Sequence, residues 1–558
     1  MKLRVSYAKR RYKDKTYVTP LVVTSYRDEE GVSRNRTMCS LAKMPDFIVR
    51  LIEQALKLGD TDILNEYVSI KEVKFLSTLL VGPVFVVFSL LKQLGIFSLL
   101  MTHLTVKQAA VIFAIVTERV ISPKPLSVMA LQRNFDREPL AYLLDMEKAP
   151  ALKTWYGALA KLEEKREVIL QELYRRNHPP GQLFLYDITS SYFEGETCPL
   201  AEFGYNRDQK KGKKQVVIGI ICAENGCPIW VDVFQGNTKD ETTVKQQILN
   251  LKTHLDVENF TFVGDRGMVT HARVEELEQE GWWESLRYIT ALTRQQMMAL
   301  IEEETHPLQL ELFDSQNLAE VEKDGTRYVL CHNPARMDRD RETRERLLHL
   351  TETKLEMIAK NVKAGRWKKK DVIAKRLYTW INRWGMERFF EVQYDECAFS
   401  YSRRNDEIER YTRLDGCYVI RSNVEKEKQG TDELRDRYKD LKYVEQAFRT
   451  MKTTDIQTRP IRHFNEPQVR GHIFACFLAY RIVWELRQRL EPVLRRDPNT
   501  KRCEAGSLQE VWRDLEKVSL AKIEANGKIY FKLSEVNSYA RNLFALCKVP
   551  SLEQLFRE

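Results

Sequence analysis

Two short apolar runs, FLYD (184–187) and FVGD (262–265), each end in an aspartate, and together they constrain the fold more than any other feature. Apolar runs of this kind predict buried strands, where an unpaired carboxylate is costly. If the two strands are neighbours, Asp187 and Asp265 lie close together, and each charge raises the pKa of the other unless a cation lies between them. Capping of the strand end by Asp187, with hydrogen bonds to nearby amides, is the alternative at this point.

The composition describes a globular chain with several folding units. Its 558 residues are too many for one hydrophobic core, and the 43% hydrophobic and 30% charged fractions exclude an intrinsically disordered protein. The 89 lysines and arginines exceed the 79 acidic residues by ten, which permits a polyanionic partner without requiring one. The ten cysteines include no CxxC pair, so reduced thiols are expected rather than a zinc site or a disulfide framework.

No segment of the sequence is typical of a signal peptide or a membrane span. The N-terminus, MKLRVSYAKRRYKDK, lacks an apolar core. The stretch 75–91 is apolar, but Gly82-Pro83 interrupts it and Lys92 follows it at once. We interpret it as a strand or loop that leads into a buried helix, and we expect a cytoplasmic protein with no membrane segment.

The region around the two aspartates alternates strands and helices. The pattern predicts strands at 183–189, at 215–234 as a pair joined at Asn225-Gly226, at 260–267 and at 287–292, with helices at 240–255 and 271–281. Three strands in a meander, followed by alternating strands and helices, predict an α/β fold with a mixed five-stranded, RNase H-like sheet flanked by helices.

Changes in pattern divide the chain into six segments. We expect a β-rich N-terminal arm (1–60), a helical region for DNA binding or dimerisation (61–178), the first part of the core (179–293), an α+β insertion domain (294–430), the second part of the core (431–490) and a C-terminal region (491–558). The clearest boundary is NHPPG (177–181), which ends a helix predicted from 152 to 176.

A third acid is found in YVEQAFRTMK (443–452), which a helix starting upstream would present on one face. Tyr438, Glu445 and Lys452 are spaced by seven residues and so share a face of that helix within about 20°. An acid beside basic and aromatic side chains suits a metal site near phosphates, and oxygen ligands suit Mg²⁺. A solvated amphipathic helix is the alternative interpretation.

At these residues the sequence resembles the DDE transposases of the IS4 group, most closely the IS1634-type insertion-sequence family. The matching pieces occur in order and are YDITSSYFEG, GYNRDQKKGKKQVVIG, FQGNTKDETT, FVGDRGM, YKDLKYVEQAFRTMK and RPIRHFNEPQVRGHIFACFLAY. The resemblance covers roughly residues 180–293 and 410–485.

The resemblance implies a complete catalytic scheme. Asp187, Asp265 and Glu445 would be the catalytic residues and would bind two Mg²⁺ ions. Mn²⁺ would be able to substitute for Mg²⁺. The substrate would be double-stranded DNA at the ends of a bacterial insertion sequence, cut and joined to a target by a cut-and-paste route. A homodimer on paired ends is expected, associated with the nucleoid, with no small-molecule cofactor.

Candidate DNA contacts follow from the basic residues near these motifs. They are Arg207, Lys210, Lys211, Lys213, Lys214, Arg266, Arg437, Tyr438, Lys442, Arg449 and Lys452. The IS4 signature is Tyr, two residues, Arg, three residues, Glu, six residues, Lys, and this chain has Leu441 at the Arg position. Arg437 or Arg449 is expected to take that role.

Several residues keep two interpretations. Asp240 is either a fourth metal ligand or a helix N-cap. Trp380 and Trp384 are expected in a core rather than stacked on a flipped base. His463 is expected to be structural or to contact phosphate rather than to act as a base. For the whole chain, a transposase-derived DNA-binding protein and a structure-specific nuclease with the same fold are the alternatives.

Overall fold

The computed structural model describes most of the chain. The described residues are 3–12, 15–58, 73–122, 124–125, 127–135, 139–144, 146, 148–177, 179, 181–205, 207–208, 210–266, 268–269, 276, 286–303, 305–309, 317–495, 505–525 and 528–550. The chain forms two compact units. One comprises Met1–Val81 with Glu516–Asn537, and the other comprises Gly82–Leu515 with Ser538–Glu558.

In its described residues, the first unit contains two three-stranded sheets and one helix. Its elements are β1 (Leu3–Tyr12), β2 (Lys15–Arg27), β3 (Ser33–Ser40), α1 (Asp46–Leu58), β4 (Lys74–Leu80), β15 (Ser519–Ala525) and β16 (Lys528–Leu533). The sheet orders are β1-β2-β3 and β16-β15-β4. A small core of Val22, Leu41 and Val49 lies between the first sheet and α1. The β-rich character predicted for the N-terminus is thus confirmed in the described residues.

A group of helices opens the second unit. These are α2 (Gly82–Gln93), α3 (Ile96–His103), α4 (Val106–Ile121), α5 (Val128–Asn134), α6 (Pro139–Leu143), α7 (Leu152–Glu164) and α8 (Arg166–Asn177). The stretch 75–91 forms strand β4 and the buried helix α2, as predicted. The single helix predicted over 152–176 is instead two, divided at Lys165. Among the described helices, none alone has the length and apolarity to cross a bilayer, although α2 and α3 pass that test as a pair bent by 73°.

An eight-stranded sheet forms the centre of the second unit. Its strands are β5 (Leu183–Tyr192), β6 (Gln215–Ala223), β7 (Pro228–Gln235), β8 (Phe260–Gly264), β9 (Leu286–Ala291), β10 (Leu318–Lys323), β11 (Thr326–His332) and β14 (Cys417–Ser422), in the order β10-β11-β14-β9-β8-β5-β6-β7. Strands β5, β6 and β7 are antiparallel, whereas β5, β8 and β9 run parallel. The five strands predicted for the core are therefore all present.

The turn between β6 and β7 has the geometry that its residues predict. Gly226 adopts a φ of 81°, which favours glycine, and the Cys227 N–H donates to Asn225 Oδ1 at 3.0 Å. After β7 the chain forms α9 (Asp240–Leu249), which continues as a π-helical turn, Asn250–His254. The helix predicted at 271–281 lies outside the described residues, apart from Glu276.

The segment between β9 and β14 extends the sheet as well as adding helices. Strand β14 pairs antiparallel with β9, and β11 and β10 follow it outward. The other elements are α10 (Arg294–Glu302), α11 (Pro334–Lys363), α12 (Lys370–Ile381), β12 (Phe390–Tyr394), β13 (Phe399–Arg403) and α13 (Asn405–Thr412). Their apolar side chains form a separate core that includes Leu348, Leu355 and Ile373. The sheet thus has three strands more than the five predicted.

Apart from the β15–β16 pair, the described elements after β14 are helices, as predicted for 431–490, but they are divided differently. The elements are α14 (Thr431–Lys439), α15 (Lys442–Arg449), a π-helical turn (Thr450–Thr454), α16 (Glu466–Arg489), α17 (Glu491–Leu494), α18 (Leu508–Leu515) and α19 (Ser538–Leu546). The predicted continuous helix through Tyr438, Glu445 and Lys452 is wrong, because Asp440 and Leu441 form a turn between α14 and α15.

Candidate active site

The two aspartates occupy neighbouring positions in the sheet. Tyr186 of β5 pairs with Gly264 of β8, so Asp187 and Asp265 are the next residues of two adjacent parallel strands. Such strands lie about 4.8 Å apart. Asp265 follows the end of its strand, as predicted. Asp187 lies inside its strand, because β5 pairs with β6 as far as Tyr192, three residues beyond the predicted end at 189.

Burial and a neighbouring charge perturb the carboxyl of Asp187. It is half-buried, and its Oδ1 accepts a hydrogen bond from the Ile188 N–H at 2.7 Å. Burial, reinforced by the negative charge of Asp265, raises the pKa of Asp187 from 3.8 to about 7. A neutral or cation-bound carboxyl is therefore favoured at this position near neutral pH.

Glu445 lies on a helix that packs against the strand of Asp187. Helix α15 contacts β5 and β6 through an apolar side that includes Val444, Ala447 and Phe448. The Glu445 side chain itself is exposed. Within the described residues, no three His, Cys, Asp or Glu side chains are grouped closely enough to hold a metal ion. The structure thus brings Asp187 and Asp265 together and leaves Glu445 outside a three-ligand group.

The donor chemistry at Asp187 and Asp265 nevertheless fits a hard divalent cation. Two carboxylates that repel each other on neighbouring strands gain from a cation between them, and carboxylate oxygens are the ligands that Mg²⁺ prefers. Burial is the main cause of the raised pKa of Asp187, and the negative charge of Asp265 adds to it.

Tyr438 contacts the second aspartate directly. Its hydroxyl donates to Asp265 Oδ1 at 3.4 Å. Burial, followed by the charge of Asp265, raises the pKa of Tyr438 to about 12, so the hydroxyl remains protonated and able to donate. Arg266 also acts on this hydroxyl and opposes that shift. Tyr438 and Arg266 are therefore grouped with Asp265, as their place in the motifs predicts.

Lys452 contacts strand β5 two and three residues beyond Asp187 and is held by several oxygens. Its Nζ lies 2.6 Å from Asp208 Oδ1, and it donates to Thr189 Oγ1 at 3.0 Å and to the Ser190 carbonyl at 2.7 Å. Arg459 Nη1 reaches the same Asp208 oxygen at 2.6 Å. Two cations thus share one carboxylate whose side chain is only 3% exposed.

The pKa shifts of this cluster follow from the same contacts. Burial alone would raise the pKa of Asp208, but Lys452 and Arg459 outweigh it and the pKa is lowered. Burial lowers the pKa of Lys452, and Asp208 offsets part of that effect. We call these three residues, Asp208, Lys452 and Arg459, the buried cation cluster.

The remaining predicted DNA contacts fall into two groups. Three are partly neutralised: Arg207 pairs with Asp240 at 2.6 Å, Arg437 with Glu433 at 3.7 Å and Asp440 at 3.8 Å, and Lys442 with Asp440 at 3.6 Å. The second group comprises four exposed residues, Lys210, Lys211, Lys213 and Arg449, together with Lys214, which is half-buried. The structure therefore leaves Arg449, rather than Arg437, as the more accessible candidate for the missing signature arginine.

Of the two interpretations of Asp240, the structure contradicts the N-cap, and the metal ligand stays a prediction. Lys239 occupies the N-cap of α9, so Asp240 is the first helical residue and N-capping is wrong. Its carboxylate binds Arg207, and its charge contributes to the raised pKa of Asp187. Asp240 thus orients a basic residue beside the site.

His463 and the tryptophans occupy structural environments. His463 is buried, lies 4.9 Å from the ring of His472, and has a pKa lowered to about 3 by burial, so it is neutral. The rings of Trp380 and Trp384 are 6.3 Å apart, and Trp384 packs against the core of the β9–β14 segment. Lys354 lies over the Trp380 ring at 4.6 Å.

Asp208, Thr189 and Arg459 are site residues that sequence reasoning missed. The one available signal was Asp208 itself, a lone acid inside the basic run RDQKKGKK. An isolated acid among cations suggests an internal ion pair, but its partners are remote in sequence.

Comparison with known proteins gives one family match. Residues 178–482, more than half of the chain, match the family described as the transposase DDE domain. The cryo-EM structure of a piggyBac transposase synaptic complex with hairpin DNA is similar over 81% of this chain and 74% of its own, at 11% identity and a TM-score of 0.35. A Mos1 transposase paired-end complex with the left transposon end is similar over 30% of this chain and 59% of its own, at 13% identity and a TM-score of 0.14. No curated protein shows a significant sequence match.

Proposed function

Because the chain belongs to the family of transposases with a DDE domain, we propose that it is the transposase of a bacterial insertion sequence. It binds the terminal inverted repeats and catalyses Mg²⁺-dependent strand cleavage and strand transfer by a cut-and-paste route. It works in the cytoplasm on nucleoid DNA, as a homodimer that pairs two ends. The core is RNase H-like, an assignment supported by the strand order β7-β6-β5-β8-β9 and its directions.

The observation that carries this proposal is the adjacency of Asp187 and Asp265 on parallel strands, with the pKa of Asp187 raised to about 7. A pair of carboxylates that tolerates such repulsion is typical of a functional site rather than of a structural one. We propose that both aspartates hold Mg²⁺, that Mn²⁺ substitutes for it, and that Glu445 joins them when DNA binds. The cation, when bound, acidifies the attacking water and stabilises the leaving oxygen.

The side chains around the aspartates have supporting roles in this proposal. Tyr438 holds the Asp265 carboxylate in place through its hydroxyl. Lys452 binds Asp208 and the Ser190 carbonyl of β5, the strand that carries Asp187, and contributes positive charge there for phosphate oxygens. Arg449 and the exposed lysines at 210–214 bind the flanking phosphates.

The test compares Asp265→Ala with Asp338→Ala, an exposed acid on α11. The DNA is an end sequence taken from short inverted repeats that flank the coding sequence. We expect Asp265→Ala to bind this DNA and to leave it uncut in Mg²⁺, whereas Asp338→Ala cuts like the wild type. Cleavage by Asp265→Ala at the wild-type rate would show that the metal-site assignment is wrong.

A further inference from the structure

The β1–β2 hairpin of the first unit is longer than the sheet to which it belongs. Strands β1 and β2 pair from Leu3↔Thr24 to Tyr12↔Lys15, whereas β3 pairs with β2 only over Leu21–Arg27. The part of the hairpin without a third strand, Tyr7–Tyr12 paired with Lys15–Pro20, is named the basic ribbon here. Its six residue pairs make it roughly 20 Å long.

The base of the ribbon is held by packing, so its direction is defined. Leu3 and Val5 pack on the core that β2 shares with α1. The Tyr7 hydroxyl donates to Glu53 Oε2 of α1 at 3.0 Å. Beyond Tyr7, the residues from Ala8 to Arg11 and from Lys15 to Val18 are exposed. The ribbon is thus a folded projection on an anchored base.

The charge of the ribbon is positive on both of its faces. Alternation along the strands puts Lys9 and Arg11 on one face, and Arg10 with Lys15 and Tyr17 on the other. In the part of the chain that the structure describes, none of these four cations has a carboxylate partner. The described residues of β1 and β2 include no acid at all.

A ribbon that is basic on both faces fits a partner that presents negative charge on two sides. The major groove of B-form DNA is about 12 Å wide, admits a two-stranded ribbon, and is bordered by a phosphate backbone on each side. A flat anionic membrane would contact one face and leave the other cations unused. The deep major groove of double-stranded RNA is too narrow for side chains to enter.

We propose that the basic ribbon binds double-stranded DNA in a groove, as a DNA-contacting element separate from the catalytic site. Its contacts are to phosphates, so it adds affinity without reading sequence. The inference rests on the proposed function in one respect only, that DNA is the substrate of this chain.

The test uses the full chain with Lys9, Arg10 and Arg11 each changed to Gln. Binding to a duplex of about 30 base pairs of arbitrary sequence is measured by fluorescence anisotropy, in EDTA, between about 0.05 and 0.2 M salt. Each lost phosphate contact lowers the salt slope of log K by about 0.9. We therefore expect the slope to fall by about 2 to 3, with at least about a tenfold loss of affinity at the higher salt concentration.

The matched control removes three cations from the same unit at ion-paired positions. Arg34 pairs with Asp28, Lys57 with Glu53 and Lys74 with Glu524. Their triple change to Gln alters the net charge equally, and we expect a smaller loss than for the ribbon variant.

Three results would overturn the inference: equal losses in the two variants, no binding of the duplex by the wild type, or an equal loss of binding to phosphatidylserine vesicles or RNA duplexes. The binding assay contains no metal, so a result that overturns DNA binding by the ribbon leaves the proposed Mg²⁺-dependent catalysis untouched. That proposal fails only if Asp265→Ala still cuts DNA.

Discussion

The charged side chains of the buried cation cluster lie against one another and are largely shielded from water, whereas those of the basic ribbon are exposed, with no carboxylate partner among the described residues. In the cluster, Lys452 and Arg459 share Asp208. In the ribbon, Lys9, Arg10 and Arg11 project on both faces. Buried charges have fixed positions and strong mutual interactions, while exposed ones interact weakly and remain available to a partner. The difference suggests that the cluster fixes the structure around the reacting groups and that the ribbon supplies affinity for a polyanion.

The largest expected effect is the loss of the carboxylate in the buried cation cluster. Asp208→Ala leaves Lys452 and Arg459 with no shared counter-charge in a site that is largely shielded from water. We expect the free energy of unfolding to fall by about 2–4 kcal/mol, measured by denaturant unfolding at pH 7. The effect depends on pH, because the lowered pKa of Asp208 stabilises the fold above the ordinary aspartate range and this stabilisation is lost as the pH falls.

Glu164→Ala is the control for this change, since it breaks exposed ion pairs with Lys161 and Lys165. We expect no measurable change in its unfolding midpoint. Equal destabilisation by Asp208→Ala and Glu164→Ala would show that the ion pairs of the buried cation cluster stabilise the fold no more than exposed ion pairs do.

A second effect, of opposite sign, is expected at Asp187. Its folded-state pKa of about 7 lies above the unfolded value, so ionisation destabilises the metal-free fold as the pH rises. Asp187→Asn removes that cost, and in EDTA at pH 8 we expect a gain on the order of 1–3 kcal/mol. The gain should be absent below about pH 4 and grow up to about pH 7. If Asp187→Asn were less stable than the wild type in EDTA at pH 8, ionisation of Asp187 would not destabilise the fold, and the prediction would be wrong.

The smallest expected effect is on the salt dependence of DNA binding, and it distinguishes Lys452 of the buried cation cluster from the cations of the basic ribbon. Lys452→Met removes a charge that Asp208 already balances, so the salt slope of DNA binding should change by less than about 1, in contrast to the ribbon variant. Cleavage should nevertheless fall, because Lys452 no longer holds β5, the strand of Asp187, through Thr189 and the Ser190 carbonyl. Anisotropy titrations and a nicking assay on the same preparations measure both quantities. If Lys452→Met changed the salt slope of DNA binding as much as the ribbon variant does, Lys452 would not differ from the ribbon cations in its contribution to DNA binding.

The sequence predicts those parts of this arrangement that depend on neighbouring residues. The Asn225-Gly226 turn, the strand that ends before Asp265 and the buried helix after Gly82 all follow from local pattern, and the structure confirms them. The pairing of two aspartates on adjacent strands was also predictable, because each follows an apolar run of strand length.

What could not be predicted depends on contacts between remote segments. Strand β5 continues past Asp187 because β6 pairs with it as far as Tyr192↔Gln215. The turn at Asp440 and Leu441 interrupts a helix whose apolar spacing continues on both sides, so periodicity cannot locate it. The partners of Asp208 lie more than two hundred residues away in the chain.

The pairing of β14 with β9 has a consequence for the nascent chain. Ala291 and Ile420 lie side by side in the sheet, yet a ribosome that adds about 5–20 residues per second needs on the order of ten seconds to make the residues between them. During that interval the apolar strand β9 has an open edge on which a strand of another chain can pair. Folding of the segment that ends in β14 therefore also protects the newly made protein from aggregation, and a chain truncated before Cys417 keeps that edge exposed.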